Sequence, residues 1–143
     1  MDKVICVATK GVVVYGGKCL LVQRAGDEGI DPLVWEFAGG KLEFGETPEA
    51  GLQREILEEA GLRATVERML YTATFFTSAQ RQVVLLCYLC RAGDSVVTLS
   101  EEHSAYRWVT VSEAEALLPK AILDDLNKHR VFEFLRENGI MKS

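Results

Sequence analysis

Apolar residues open the chain in two β-rich runs, VICVATKGVVVY and KCLLVQRA, separated by Gly16-Gly17. Paired glycines accept positive φ without steric cost, so this spacing predicts a tight hairpin. A polar stretch from Ala25 to Pro32, AGDEGIDP, reads as a loop. A short apolar strand, LVWEFA, then runs into Gly39-Gly40. The period changes next. Thr47 suits an N-cap, Pro48 the first helical position and Gly61 a left-handed C′ residue, which together bound a helix. Its apolar side is expected to be Leu52, Ile56, Leu57 and Ala60. Strands are predicted in TVERMLYTATFFT and RQVVLLCYLCRA, the second apolar on both faces as a central strand should be, and again in RWVTV. Ser112 to Glu115 has capping-box spacing and starts a short helix, which Pro119 interrupts. A last helix is predicted from about Ala121 to Asn138, with Ile122, Leu126, Val131, Phe134 and Leu135 facing inward and Gly139 ending it. This order predicts an α+β fold in a sandwich arrangement.

Composition narrows the picture. A length of 143 residues suits one domain, 1–143, with a sizeable core, and 48% hydrophobic with 26% charged residues is globular usage. Sixteen Lys and Arg against 21 Asp and Glu give a net charge of −5 with no basic block, so no duplex nucleic acid is expected as a partner. No apolar run has the length of a membrane span, and MDKVICVATK lacks the layout of a signal peptide. A cytoplasmic protein with no membrane partner is expected. Cys87 and Cys90 have CxxC spacing, but inside a strand residues three apart point to opposite faces. Buried free thiols are the expectation, not a zinc or redox pair.

The chemistry concentrates in GGKLEFGETPEAGLQREILEEAGL, residues 39–62, which carries Glu43, Glu46, Glu49, Glu55, Glu58 and Glu59. At about 100° per residue, Glu55, Glu58 and Glu59 span an arc of about 100° on one side of the helix. Arg54 lies one turn before Glu58 and can pair with it. The surplus of negative charge suits a hard divalent cation. Glutamates on a helix are also ordinary solvated surface, so the arc alone leaves both readings open.

The full spacing is more specific. From Gly40 the chain reads Gly, five residues, Glu46, seven residues, Arg54-Glu55-Ile56, one residue, Glu58-Glu59, one residue, Gly61-Leu62. This resembles the Nudix box, GX5EX7REUXEEXGU with U aliphatic, at residues 40–62, and VWEFAGGKLEFGETPEAGLQREILEEAGL is most similar to the MutT-like branch. The resemblance implies an α/β/α sandwich around a central mixed sheet. It also implies a hydrolase of nucleoside diphosphates linked to another group, dependent on Mg²⁺ or Mn²⁺. Glu55, Glu58 and Glu59 become the expected metal carboxylates and the Gly39 carbonyl a further ligand. Glu102, six residues before Trp108, would be another ligand, with Glu101 as the fallback. Glu55, Glu58 and Glu102 are the candidates for general base. Arg24 and Lys41 are expected to face substrate phosphate, and Glu46 and Arg54 to brace the loop. His103 and His129 carry no assigned role. The expected substrate is a small nucleotide, foremost a ribo- or deoxyribonucleoside triphosphate cleaved to monophosphate and pyrophosphate. ADP-ribose, nucleotide sugars, dinucleoside polyphosphates and non-catalytic nucleotide sensing are the alternatives. By family analogy the chain is a monomer or homodimer.

Two positions depart from the family pattern. Ala38 stands where many members have proline, and LLPKAILDD lacks the asparagine that reads oxidised guanine.

Overall fold

A computed structural model describes residues 2–26 and 33–143. Strands β1 (Val4–Tyr15) and β2 (Lys18–Arg24) form the predicted hairpin, and both turn glycines adopt positive φ, 59° at Gly16 and 82° at Gly17. Most of the loop predicted from Ala25 to Pro32 lies outside the described residues. The LVWEFA segment divides into β3 (Trp35–Glu36) and β4 (Ala38–Lys41). Helix α1 (Pro48–Ala60) has the expected ends: the Ala50 N–H donates to Thr47 Oγ1 at 3.2 Å, and Gly61 is left-handed at φ 68°. Strands β5 (Ala64–Ser78), β6 (Arg81–Ala92) and β7 (His103–Val109) follow.

All seven strands join one mixed sheet along the path β3-β2-β1-β6-β5, with β4 on β1 and β7 on β2. β1 runs parallel to β6 from Val4 to Val14 and antiparallel to β4 from Ala8 to Gly11. Period-two alternation sends β-strand side chains to two separate cores. Val12, Val14, Cys19, Leu21, Cys87 and Leu89 face the C-terminal helices, whereas Val13, Leu20, Val22, Tyr88 and Cys90 face Leu52, Ile56 and Ala60 of α1. A mixed sheet between helical layers is therefore the architecture. Cys87 and Cys90 fall in opposite cores as free thiols. Among the described residues no helix is long and apolar enough to cross a membrane.

The C-terminal region departs from expectation twice. Helix α2 (Val111–Leu117) is capped by Thr110, whose capping box is closed by Glu113, so the helix starts ahead of Ser112 and shortens the strand predicted over RWVTV. The last helix is two: α3 (Lys120–Lys128) and α4 (Val131–Glu137), broken where Arg130 takes φ 54°. Phasing explains the break. In one straight helix Leu126 and Leu135 would lie about 180° apart, yet both are buried in the same core.

Candidate functional site

Helix α1 presents Glu55, Glu58 and Glu59 at graded depth. Side-chain exposure is 5% for Glu59, 17% for Glu55 and 59% for Glu58. The gradient follows from helical phase: Glu59 lies about 20° from Leu52 in projection, while Glu58 lies about 120° away. Leu57, expected on the apolar side, is instead exposed for the same reason, at about 140° from Leu52. Burial, and then a hydrogen bond with Glu55, push the Glu59 carboxyl above its ordinary range. The Gly39 N–H donates to Glu59 Oε1 at 3.4 Å.

Arg54 is the hub of the exposed side. Its Nε and Nη2 donate to the two oxygens of Glu46 at 2.6 and 2.9 Å, a bidentate pair. That pair, with the Glu43 N–H, holds the Glu46 carboxyl down to about 2. Nη1 is shared between Glu55 at 3.1 Å and Glu58 at 3.2 Å, and Nη2 also reaches the Lys41 carbonyl at 3.4 Å. One guanidinium thus ties the 43–46 turn, the end of β4 and helix α1 together. Gly40 lets Glu55 come close: a Cβ there would sit 2.9 Å from the Glu55 carboxyl carbon.

A second charged group, of which the sequence singled out only Arg24, backs the first. His103 is buried, with Nε2 3.0 Å from Glu36 Oε2 and Nδ1 3.8 Å from Glu59 Oε1. Lys10 Nζ donates to the Phe37 carbonyl at 3.1 Å and the Gly39 carbonyl at 3.3 Å, and stands 3.7 Å from Glu36 Oε1. Arg24 Nε is 3.6 Å from Glu36 Oε2, at a bulge in the β2–β7 pairing that aligns Arg24 with His103. Burial works to raise the Glu36 carboxyl; the His103 hydrogen bond, Lys10 and Arg24 outweigh it and leave the group below its ordinary value. The available signal was a charged residue inside an apolar strand, WEFA, and a histidine beside Glu102.

Glu102 is exposed in the turn before β7, its carbonyl accepting from the Ala25 N–H at 2.9 Å. Its chain neighbour His103 reaches Glu59, whereas among the described residues the Glu102 carboxylate has no ion-pair or hydrogen-bond contact with α1. Lys41 is also exposed, at the end of β4.

Residues 7–130 match the model of the NUDIX domain. The chain belongs to the Nudix family. It is 36% identical over 107 residues to a MutT-like protein of Streptomyces ambofaciens, covering 75% of this chain and 65% of that one, just under two thirds of its length. It is also 36% identical over 107 residues to the CTP pyrophosphohydrolase of Escherichia coli strain K12, covering 72% of this chain and 74% of the other. Among solved structures, the MutT protein of Methanosarcina mazei Go1 superposes with a TM-score of 0.77 at 23% identity over 96% of this chain and 98% of its own. That likeness concerns the fold. As a Nudix-fold hydrolase the chain falls in a class that acts on nucleoside-diphosphate-linked compounds.

Nudix proteins generally use divalent metal ions. Among the described residues no group of three or more His, Cys, Asp or Glu side chains is already gathered to ligand spacing. The donor chemistry nevertheless suits a hard cation: Glu55, Glu58 and Glu59 offer carboxylate oxygens, Gly39 a carbonyl, and the space over Gly40 admits the Glu55 carboxylate where a Cβ would exclude it. A cavity of about 220 Å³ lies against the Lys10–Glu36 pair, lined mainly by Phe37, Tyr71, Phe75, Leu85 and Ile122.

Proposed function

We propose that this Nudix hydrolase is a Mg²⁺- or Mn²⁺-dependent pyrophosphohydrolase of ribo- and deoxyribonucleoside triphosphates, releasing nucleoside monophosphate and pyrophosphate. The observation that carries this reading is the shared wall at Lys10 and Glu36, with an apolar cavity on one side and the graded carboxylates on the other. An aromatic-lined cavity suits a base, and the carboxylate cluster reached through Lys10, Gly39 and Glu59 suits the polyphosphate with its cations. Similarity to a CTP pyrophosphohydrolase supports a triphosphate substrate.

In this reading Glu55, Glu58, Glu59, Glu102 and the Gly39 carbonyl would hold the metal, which would supply Lewis-acid neutralisation of phosphate charge. Arg24 and Lys41 bind phosphate oxygens. Water attacks a phosphorus, its proton passes to Glu55, Glu58 or Glu102, and the phosphoanhydride P–O bond breaks with pyrophosphate leaving. Arg54 and Glu46 keep the 43–46 turn seated on α1, so the carboxylates meet the substrate in one geometry. The two cores share one sheet, which supports one catalytic domain, 1–143; a monomer or homodimer in the cytoplasm completes the proposal.

The test is a release assay for monophosphate and pyrophosphate across nucleoside triphosphates, oxidised nucleotides, nucleotide sugars, dinucleoside polyphosphates and ADP-ribose, with Mg²⁺, with Mn²⁺ and with chelator. Triphosphate turnover that chelator abolishes, and that Glu58→Gln and Glu59→Gln lower, is the expected result. Preference for ADP-ribose or a nucleotide sugar would refute the substrate class. Tight nucleotide binding without turnover on any compound would refute catalysis and favour a sensor.

A further inference from the structure

Gly39 is held at both polar ends: its N–H donates to Glu59 and its carbonyl accepts from Lys10 at 3.3 Å. The same carbonyl is a proposed metal ligand, so two cations have a claim on one oxygen. A carbonyl oxygen has two lone pairs, but an ammonium and a divalent ion seated on both would repel each other at close range. The backbone is not free to turn the oxygen away. Gly39 pairs with Lys10 in the β1–β4 ladder, and a Cβ on it would lie 2.0 Å from the Thr9 carbonyl, so β4 is pressed onto β1 at this point. The partner free to move is the Lys10 side chain, which is flexible and carries three donors. It also has somewhere to go. Glu36 Oε1 is 3.7 Å away, and an approach of about 0.8 Å makes a normal ion pair while the Phe37 carbonyl remains in reach.

We propose that Lys10 is a built-in competitor for the divalent ion: it holds the Gly39 carbonyl oxygen in the metal-free chain and releases it, closing on Glu36, when the ion binds. The ammonium thereby shields the buried Glu59 and half-buried Glu36 carboxylates before metal arrives and sets a threshold for metal occupancy. This inference rests on the proposed metal role of Gly39 and the α1 glutamates. Lys10 is a positioning residue, acting through an oxygen it does not share with substrate.

The test reads Mn²⁺ binding to the full chain without nucleotide, by electron paramagnetic resonance of the free ion. Lys10→Met is expected to bind Mn²⁺ about tenfold more tightly, because a hydrogen bond from a charged donor no longer has to be given up. Arg24→Met removes a positive charge from the same cluster without touching Gly39, and is expected to change affinity by less than about threefold. Lys10→Gln, which keeps a polar amide but no charge, serves if Lys10→Met does not fold, and should also tighten binding. Equal tightening in Lys10 and Arg24 variants would reduce Lys10 to a background field and overturn the competition. Unchanged or weaker binding by the Lys10 variants overturns it as well. Binding that Glu58→Gln and Glu59→Gln leave untouched would instead strike the metal reading itself, and Lys10 would fall with it.

Discussion

Neighbouring glycines in β4 should respond to the same substitution in opposite ways. In Gly40→Ala the new Cβ lies 2.9 Å from both Cδ and Oε2 of Glu55 and 3.0 Å from Oε1. Ordinary contact needs about 3.5 Å, so the carboxylate must retreat by about 0.6 Å. It stands at the end of a flexible side chain, and an off-rotamer adjustment of that kind costs about 1 kcal/mol, or about 3 °C in melting temperature. Catalysis is less forgiving: displacing a reacting group by a fraction of an ångström to one ångström costs up to about 100-fold. In Gly39→Ala the Cβ lies 2.0 Å from the Thr9 carbonyl and 2.8 Å from Lys10 Cα, both backbone, at φ +144°. Backbone strain of about 1–3 kcal/mol adds to a similar overpacking cost, on the order of 4 kcal/mol together. Thermal melts and pyrophosphate release with Mg²⁺, measured on both variants, separate the effects. Gly40→Ala should keep its fold and lose about two orders of magnitude in kcat/KM, whereas Gly39→Ala should lose stability first. A folded Gly40→Ala protein within threefold of native activity would remove Glu55 from the reacting groups.

Other consequences are sharper in sign than in size. Arg54 depresses the Glu46 carboxyl from 4.5 to about 2, so its stabilisation is fully present above pH 4.5 and is lost as pH falls toward 2. Urea midpoints should fall across that window and fall less in Glu46→Gln; parallel curves would contradict the pairing. Burial raises Glu59, so ionising it opposes folding as pH rises. In chelator at pH 8 Glu59→Gln should melt no lower than the native chain, and with Mg²⁺ restored it should lack activity; a large drop in melting temperature would count against a buried, costly carboxylate. Burial pushes the Cys19, Cys87 and Cys90 thiols up to about 12, leaving half-buried Cys6 as the accessible one. A disulfide reagent at pH 8 should modify one thiol in the folded chain and four after unfolding.

Much of this was legible because local rules decide it. The hairpin turn needed positive φ, α1 needed its caps, and the box spacing put three glutamates on one arc. Their depth was legible too, since Glu59 is nearly in phase with Leu52, but an arc read only for charge conceals it. What escaped depends on contacts distant in sequence. Glu36 meets His103 across 67 residues and Lys10 meets Gly39 across 29, and nothing near Lys10 distinguishes it from a solvated strand lysine. The split between α3 and α4 escaped for a related reason: both halves are apolar enough for one helix, and only the shared core demands a change of phase at Arg130.

The charge distribution explains why the glutamate motif does not stand alone. Arg54 is the one cation inside the helix it serves, yet two of its donors are committed to Glu46 and the third is divided between Glu55 and Glu58. It therefore fixes the loop and the exposed rim, and leaves the buried end of the cluster uncompensated. There burial, and then the neighbouring Glu55, push the Glu59 carboxyl above its ordinary range. Compensating charge comes from β1, through Lys10, and from β2, through Arg24, both acting at Glu36. The chain's own cations thus half-neutralise the site, which is rigid on the Arg54 side and adjustable on the Lys10 side. An incoming divalent ion would meet resistance where the chain has placed a movable ammonium, and none where it has placed only glycine.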